Sequence, residues 1–291
     1  MPRREDFRLI NPLRVRWSEV DQQKVVFNAH YLTYFDIAIT DYWRALAIPY
    51  EASMPALGGE PFVRKATVEF HASARLDDQL EVGLKCARIG NSSMGFVGGI
   101  FRDEQLLISS ELVYVFADPH AQVSVPVPPR LREIMLGYEA WEPVTRAEVG
   151  AWPALAAELQ MLRFEAGLSA TEDPHDEAAL HVLLRNRLGL PVACGRLLPA
   201  GEEAGAAAGA GAGVSTIDRL GVRRVLRGSH YGRATLMALL KAAADRGDHA
   251  VQAQAPRGSR GFFERQGFVA TGEPFEVDGV VCTTLHLTLR A

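Results

Sequence analysis

A chain of 291 residues exceeds one typical domain and predicts about two units of roughly 100–200 residues each. A composition of 48% hydrophobic and 23% charged residues excludes a disordered or fibrous chain, and a net charge of −4 gives no general attraction to nucleic acid or anionic membrane. No run approaches the ~18 apolar residues of a spanning helix, Met1 to Arg8 is charged rather than signal-like, and Cys86, Cys194 and Cys282 are too scattered for a disulfide framework or a metal site. The expectation is a cytoplasmic protein with reduced thiols, no membrane span, no nucleic-acid partner and no metal.

Between Ala29 and Leu46 the apolar residues Leu32, Phe35, Ile39, Tyr42, Trp43 and Leu46 recur at spacings of three and four, with Asp36 and Asp41 off that stripe. This predicts one amphipathic helix, with Asn28 as its N-cap and Pro49 ending it. After Gly58 and Gly59 the period becomes two: Phe62, Ala66, Val68 and Phe70 on one face, with Arg64 as the polar exception, and Val63, Lys65, Thr67, Glu69 and His71 on the other. Further strands follow at Leu80 to Cys86, Met94 to Phe101 and Leu106 to Phe116, an antiparallel sheet covered by the central helix. Val125 to Pro129 cannot enter a sheet interior, Leu131 to Tyr138 reads as a short helix, and the domain boundary falls in Glu139 to Gly150.

The second half reads helix, hairpin, strand, helix, strand, helix, strands. Trp152 to Phe164 is the helix; Ala179 to Leu184 and Pro191 to Leu198 form the strand pair. Gly201 to Gly213, nearly all Gly, Ala and Glu, reads as a flexible hairpin insertion. Val214 to Val222 then feeds a small-residue turn, Arg227 to Arg233, and a helix with Leu236, Leu239, Leu240 and Ala243 on its buried stripe.

The segment Val15-Arg-Trp-Ser-Glu-Val-Asp-Gln-Gln-Lys-Val-Val-Phe-Asn-Ala-His-Tyr-Leu-Thr-Tyr-Phe-Asp36, with Phe70 to Leu80, resembles the 4-hydroxybenzoyl-CoA thioesterase family, including its Tol-Pal-associated acyl-CoA thioesterase branch. The resemblance covers most of residues 1–138 and implies a hotdog fold. Thioester hydrolysis needs a carboxylate that activates water or attacks the carbonyl, and donors where the carbonyl oxygen gains charge. By resemblance Asp21 is the base or nucleophile, and the backbone N–H groups of Asn28 and Gly59 polarise the carbonyl. Arg88 and Ser92 are candidate contacts for coenzyme A phosphates. A glycine common in the family three residues after the aspartate is Lys24 here. Tyr31 and His30 read as first-turn packing residues, and Glu19 and Asp36 as solvated or salt-bridged.

The stretch Ile217 to Met237, with Phe262-Phe-Glu-Arg-Gln-Gly-Phe268, resembles the central strand, pyrophosphate loop and later helix of GNAT N-acetyltransferases over about residues 160–290. A small-residue turn before a helix presents backbone N–H groups to a pyrophosphate. The resemblance implies acetyl-CoA contacts from Leu220, Val222, Arg227, Gly228, Ser229, His230, Tyr231, Gly232 and Arg233. His230 stands where the family has a middle glycine, and Phe263 where many members have the tyrosine that protonates the departing thiolate.

The expected fold is therefore α+β: a hotdog at 1–140, a linker at 141–150 and a GNAT-type mixed α/β domain at 151–291. The leading function is acyl-CoA thioester hydrolysis, with coenzyme A or acyl-CoA as substrate, fused to an acetyl-CoA-binding module. The resemblance further implies a homodimer or homotetramer through the hotdog half. Two alternatives stay open: an N-acetyltransferase whose hotdog half is a dimerisation platform, and an acyl-CoA sensor without turnover.

Overall fold

Period-two alternation from Glu60 onward builds four long antiparallel strands, and the helical stripe before them packs across one face. The computed structural model describes residues 1–171, 173–201, 213–277 and 279–289, and the chain divides into two units, Met1–Val144 and Thr145–Ala291.

The first unit contains β1 (Leu9–Arg14), α1 (Asn28–Ala45), α2 (Tyr50–Leu57), β2 (Glu60–Phe70), β3 (Gln79–Ile89), β4 (Ser93–Arg102), β5 (Gln105–Asp118), β6 (Val123–Ser124) and α3 (Pro129–Glu139). The strand order is β1-β3-β4-β5-β2, with β6 paired to β5 and every pairing antiparallel. Helix α1 buries Tyr31, Tyr34, Phe35, Ala38, Ile39, Tyr42 and Trp43. Leu32, expected on the buried stripe, is exposed; the stripe is rotated so that Tyr31 and Tyr34 take that side. Phe35 lies so close to the sheet that a Cβ on Gly98 would sit 2.5 Å from its ring, so this crossing requires glycine. At the far end of α1 the Glu139 carboxylate accepts from the Tyr42 hydroxyl at 2.6 Å and the Cys86 N–H at 2.8 Å, fastening α3 to α1 and β3.

Strict alternation in β2 fails at Arg64. The pairing steps from Val63↔Tyr114 to Lys65↔Val113, so Arg64 is the extra residue of a β-bulge. Val63, Ala66, Val68 and Phe70 then share the face of their buried or core-facing partners Tyr114, Leu112, Ser110 and Ile108, while Phe62 joins Lys65, Thr67 and Glu69. The expected places of Phe62 and Val63 are thereby exchanged.

The second unit contains β7 (Thr145–Ala151), α4 (Trp152–Glu165), β8 (Leu180–Asn186), β9 (Pro191–Leu198), β10 (Val214–Val222), α5 (Tyr231–Asp245), β11 (Ala250–Pro256), α6 (Arg260–Glu264), β12 (Val269–Val277) and β13 (Val280–Thr288). The order is β12-β13-β11-β10-β9-β8-β7; only β10 and β11 run parallel. Residues 145–150, expected within a linker, form most of β7 and pair with β8 at the sheet edge. Of the Gly- and Ala-rich insertion, residues 202–212 lie outside the described residues.

Buried charge pins the segment after α4 to this sheet. Arg163 and Arg196, each 1% exposed, converge on Asp176, which is fully buried: Arg163 donates at 3.1 and 2.8 Å and Arg196 at 2.9 Å. Arg196 also grips Asp218 at 2.8 and 2.6 Å and Asp173 at 2.7 and 2.9 Å. Trp152 lies against both Arg163 and His181.

Candidate active site

The loop between β1 and α1 carries Asp21, and its own backbone shapes it. Asp21 N–H donates to Val25 O at 2.9 Å, Lys24 N–H returns to Asp21 O at 2.9 Å, and Gln23 N–H reaches the Asp21 carboxylate at 2.8 Å. That turn needs a left-handed residue, and Lys24 adopts it with φ 61°, so lysine keeps the conformation for which glycine is the easiest choice. Val26 N–H donates to Ala74 O at 2.9 Å and Phe27 N–H to Glu19 O at 2.9 Å, which delivers the chain to the start of α1.

Phe27, not Asn28, is the N-cap; Asn28 is the first helical residue, and no side chain caps this end. The first-turn N–H groups of Asn28 and Ala29 therefore stay open, at the positive end of the helix dipole. Asp21 is half-buried and lines an open cavity of about 270 Å³ with Gln23, Val25, Val26, Phe27, Asn28, Tyr31, Phe70, Ala72 and Ser73. Tyr31 accepts from Ala74 N–H at 3.0 Å, and burial raises its pKa, so its ring is a neutral wall. A carboxylate, open helix N–H groups and apolar walls are the parts that thioester hydrolysis requires.

Other expected residues lie elsewhere within the unit. Gly59 is buried at the opposite end of β2, packed on Phe116, and its N–H faces Met54 O at 3.4 Å. Ser92 is at that same end, its carbonyl accepting from Phe116 N–H at 2.8 Å, and Arg88 lies against Gly95 near the same turn. Ten residue steps of β2 separate the Gly59 end from Phe70, about 33 Å. One chain thus joins Asp21 with Asn28 and keeps Gly59, Arg88 and Ser92 apart from them. Asp36 is exposed and accepts from the Tyr114 hydroxyl at 3.4 Å. Glu19, expected to be solvated or salt-bridged, is 8% exposed; it keeps a 3.8 Å ion pair with Arg16 and also accepts from the Tyr34 hydroxyl at 2.8 Å. Its burial has no signal in the sequence beyond its nearness to Asp21.

In the second unit β10 and β11 pair only from Val214↔Ala250 to Ile217↔Ala253 and then part. The pairing of β10 with β9 shifts register between Asp218 and Gly221, just before β10 ends at Val222 and the chain enters the loop before α5. Leu220 packs on the core while Val222 is half-buried at the end of the strand. Gly228 (φ 86°) and His230 (φ 66°) shape the loop; Ser229 lies between them, and Tyr231, Gly232 and Arg233 open α5, whose N-cap is His230. Arg227 donates to Ala166 O at 2.6 Å and Arg233 to Gln266 at 3.1 Å, so both guanidiniums spend part of their capacity on the protein. Phe263 is a core ring beside Phe268, whereas Phe262 is the aromatic neighbour of Gly232.

Residues 23–109 match the family model for the thioesterase superfamily, and residues 194–289 the model for an acetyltransferase (GNAT) domain. Acyl-CoA thioester hydrolase YbgC of Escherichia coli O6:H1 is 34% identical over 112 residues, 37% of this chain and 81% of that protein. The chain belongs to the thioesterase superfamily. Another similar protein is the acyl-CoA thioesterase YbgC of Haemophilus influenzae, 26% identical over 96 residues, 33% of this chain and 71% of that protein. Among solved structures, the 1,4-dihydroxy-2-naphthoyl-CoA thioesterase Slr0204 of Synechocystis aligns at 16% identity with a TM-score of 0.41, over 44% of this chain and 94% of that one. The thioesterase-superfamily match begins two residues after Asp21. Among the described residues no cluster of His, Cys, Asp or Glu could hold a metal ion, and no helix is long and apolar enough to cross a membrane.

Proposed function

We propose that this thioesterase-superfamily chain hydrolyses the thioester of an acyl-CoA in the unit Met1–Val144, with Asp21 as base or nucleophile and the N–H of Asn28 holding the carbonyl oxygen. The observation that carries the reading is the Asp21 carboxylate sharing one cavity with the open N-terminus of α1. Water or the acyl carbonyl meets the carboxylate; charge developing on oxygen meets the helix N–H groups. The unit Thr145–Ala291 is a GNAT-type module, which we propose binds acetyl-CoA at the Leu220–Val222 strand end and the loop from Arg227 to Arg233. The parting of β10 and β11 beside that loop supports this assignment.

A homodimer completes the hydrolytic site in this reading. Strand β2 is the free edge of its sheet, with a row of backbone N–H and C=O groups open to pairing with a second strand, and it exposes Phe62, Val63 and Phe70 on its two faces. Antiparallel pairing of two β2 edges carries Gly59, and with it Arg88 and Ser92, of a second copy toward the Phe70 wall of the Asp21 cavity. Separation within one chain is then what a shared site requires. We place the protein in the cytoplasm, in keeping with its three free, buried cysteines.

Free-thiol release from a panel of straight-chain and aromatic acyl-CoAs tests the hydrolase. Wild type is expected to turn over at least one of them, and Asp21→Asn to lose at least about 100-fold in kcat. No release by wild type, or full activity in Asp21→Asn, overturns the reading.

A further inference from the structure

Glu19 is a carboxylate that the proposed chemistry does not use, yet it is buried two residues before the one that it does. Burying an ionised carboxylate is costly unless it is fully hydrogen-bonded. Two bonds reach the carboxylate, the Tyr34 hydroxyl donating to Glu19 Oε2 at 2.8 Å and the Arg16 N–H to the same oxygen at 2.7 Å, and the Phe27 N–H separately holds the Glu19 main-chain carbonyl at 2.9 Å.

The geometry of those bonds is specific. Phe27 is the N-cap of α1 and Tyr34 lies two turns further along the same helix, so Glu19 is clamped to α1 at two points. Arg16 fixes the approach from β1 through a short turn, in which Glu19 N–H donates to Arg16 O at 3.1 Å. From Glu19 the chain reaches Asp21 through Val20, itself bridged to Val26. Only Val20 therefore separates Asp21 from a residue fixed to the helix whose N-terminus it must face. Tyr34 is 3% exposed, and its pKa is raised, first by desolvation and then by its bond to Glu19, so it remains a donor.

We propose that Glu19, held by Tyr34, is the positioning residue that sets the Asp21 carboxylate against the N-terminus of α1. The inference rests on the hydrolase reading of the Asp21 cavity. Displacing a catalytic group by about 1 Å can cost 100-fold in rate, so releasing the clamp acts on kcat while leaving substrate binding in place.

The test uses the full chain in the thiol-release assay, with amide hydrogen exchange on the same samples. Tyr34→Phe keeps the ring and removes the donor; kcat is expected to fall at least about tenfold with KM within about twofold. Glu19→Gln keeps an acceptor for Tyr34 and Arg16 and is expected to retain kcat within about threefold, whereas Glu19→Ala falls as Tyr34→Phe does. The double variant Glu19→Ala/Tyr34→Phe is expected to be no slower than Glu19→Ala, because one clamp is broken once. In Tyr34→Phe the amides of Asp21, Val26 and Phe27 are expected to exchange about tenfold faster, with those of β4 unchanged. A competent wild type with unchanged kcat in Tyr34→Phe, or a kcat loss without faster exchange in this loop, overturns the positioning role alone. A wild type that releases no thiol overturns the hydrolase reading and this inference with it.

Discussion

Replacing Asp176 by Asn removes one charge and almost no volume, so its effect isolates the buried ion network of the second unit. Arg163 has Asp176 as its carboxylate partner, through two hydrogen bonds of 3.1 and 2.8 Å, and its Nε already lacks a partner. Arg196 is better supplied, since Asp173 and Asp218 remain. The substitution therefore leaves one guanidinium, 1% exposed, without its counter-charge. Breaking a buried pair from one side costs about 3–5 kcal/mol, a large part of the ~5–15 kcal/mol that holds a typical domain folded. For a unit of this size each kcal/mol moves the melting temperature by about 2–4 °C, so a downward shift of ~10 °C is expected in the second unit's transition by calorimetry. The control is Arg163→Met/Asp176→Leu, expected to recover most of that loss because no charge is left stranded. A shift below about 3 °C in Asp176→Asn refutes the reasoning, as does a double variant no better than the single one.

The same carboxylate gives a pH dependence. Burial pushes Asp176 upward, but bonds and charge from Arg163, the Asp173 N–H and Arg196 outweigh it and hold its pKa at about 2. Its contribution is therefore present above the ordinary Asp range and lost as pH falls toward about 2; acid titration of wild type and Asp176→Asn should converge there. Glu139 runs the other way: desolvation raises its pKa against the bonds from Tyr42 and Cys86. Its contribution is complete below the ordinary Glu value and declines as pH rises through the raised one, and Glu139→Gln should flatten that slope in urea titrations. Gly98→Ala puts a Cβ 2.5 Å from the Phe35 ring and 2.6 Å from Ser110 Oγ, and is expected to cost about 1–3 kcal/mol by urea unfolding.

Much of this molecule is legible in its sequence because periodicity reports burial directly. Most of the α1 stripe, the four long antiparallel strands and the element order of the second half from α4 onward follow from apolar spacing. What escapes is what depends on a partner far along the chain. Arg64 looks like a polar residue on an apolar face until Tyr114 and Val113 reveal the bulge. Thr145–Ala151 has too few apolar residues to announce a strand; pairing along β8 makes it one. At the site, Asp21 and Asn28 are readable because they are seven residues apart on one loop and helix start. The separation of Gly59 from them is set by β2, whose ten steps from the Gly59 end to Phe70 span about 33 Å, and the burial of Glu19 by a tyrosine on α1.

Two departures from the resembling families meet the same structural answer. Lys24 and His230 each stand where those families place glycine, and each adopts a left-handed backbone, φ 61° and 66°. Both backbones therefore keep a turn that glycine would make without strain, at about 1 kcal/mol each for a residue with a Cβ. The strain is retained beside the two helix N-termini, α1 and α5, that the proposed sites use. If the backbone shape is what matters, Lys24→Gly and His230→Gly should each stabilise their own unit by up to about 1 kcal/mol, less the entropy that glycine adds to the unfolded chain. The gains should add, since the residues belong to separate units. Thiol release by Lys24→Gly should stay near wild type, because the Asp21–Lys24 turn is preserved. Destabilisation of either variant would show that the side chain, not the turn, holds that position in place.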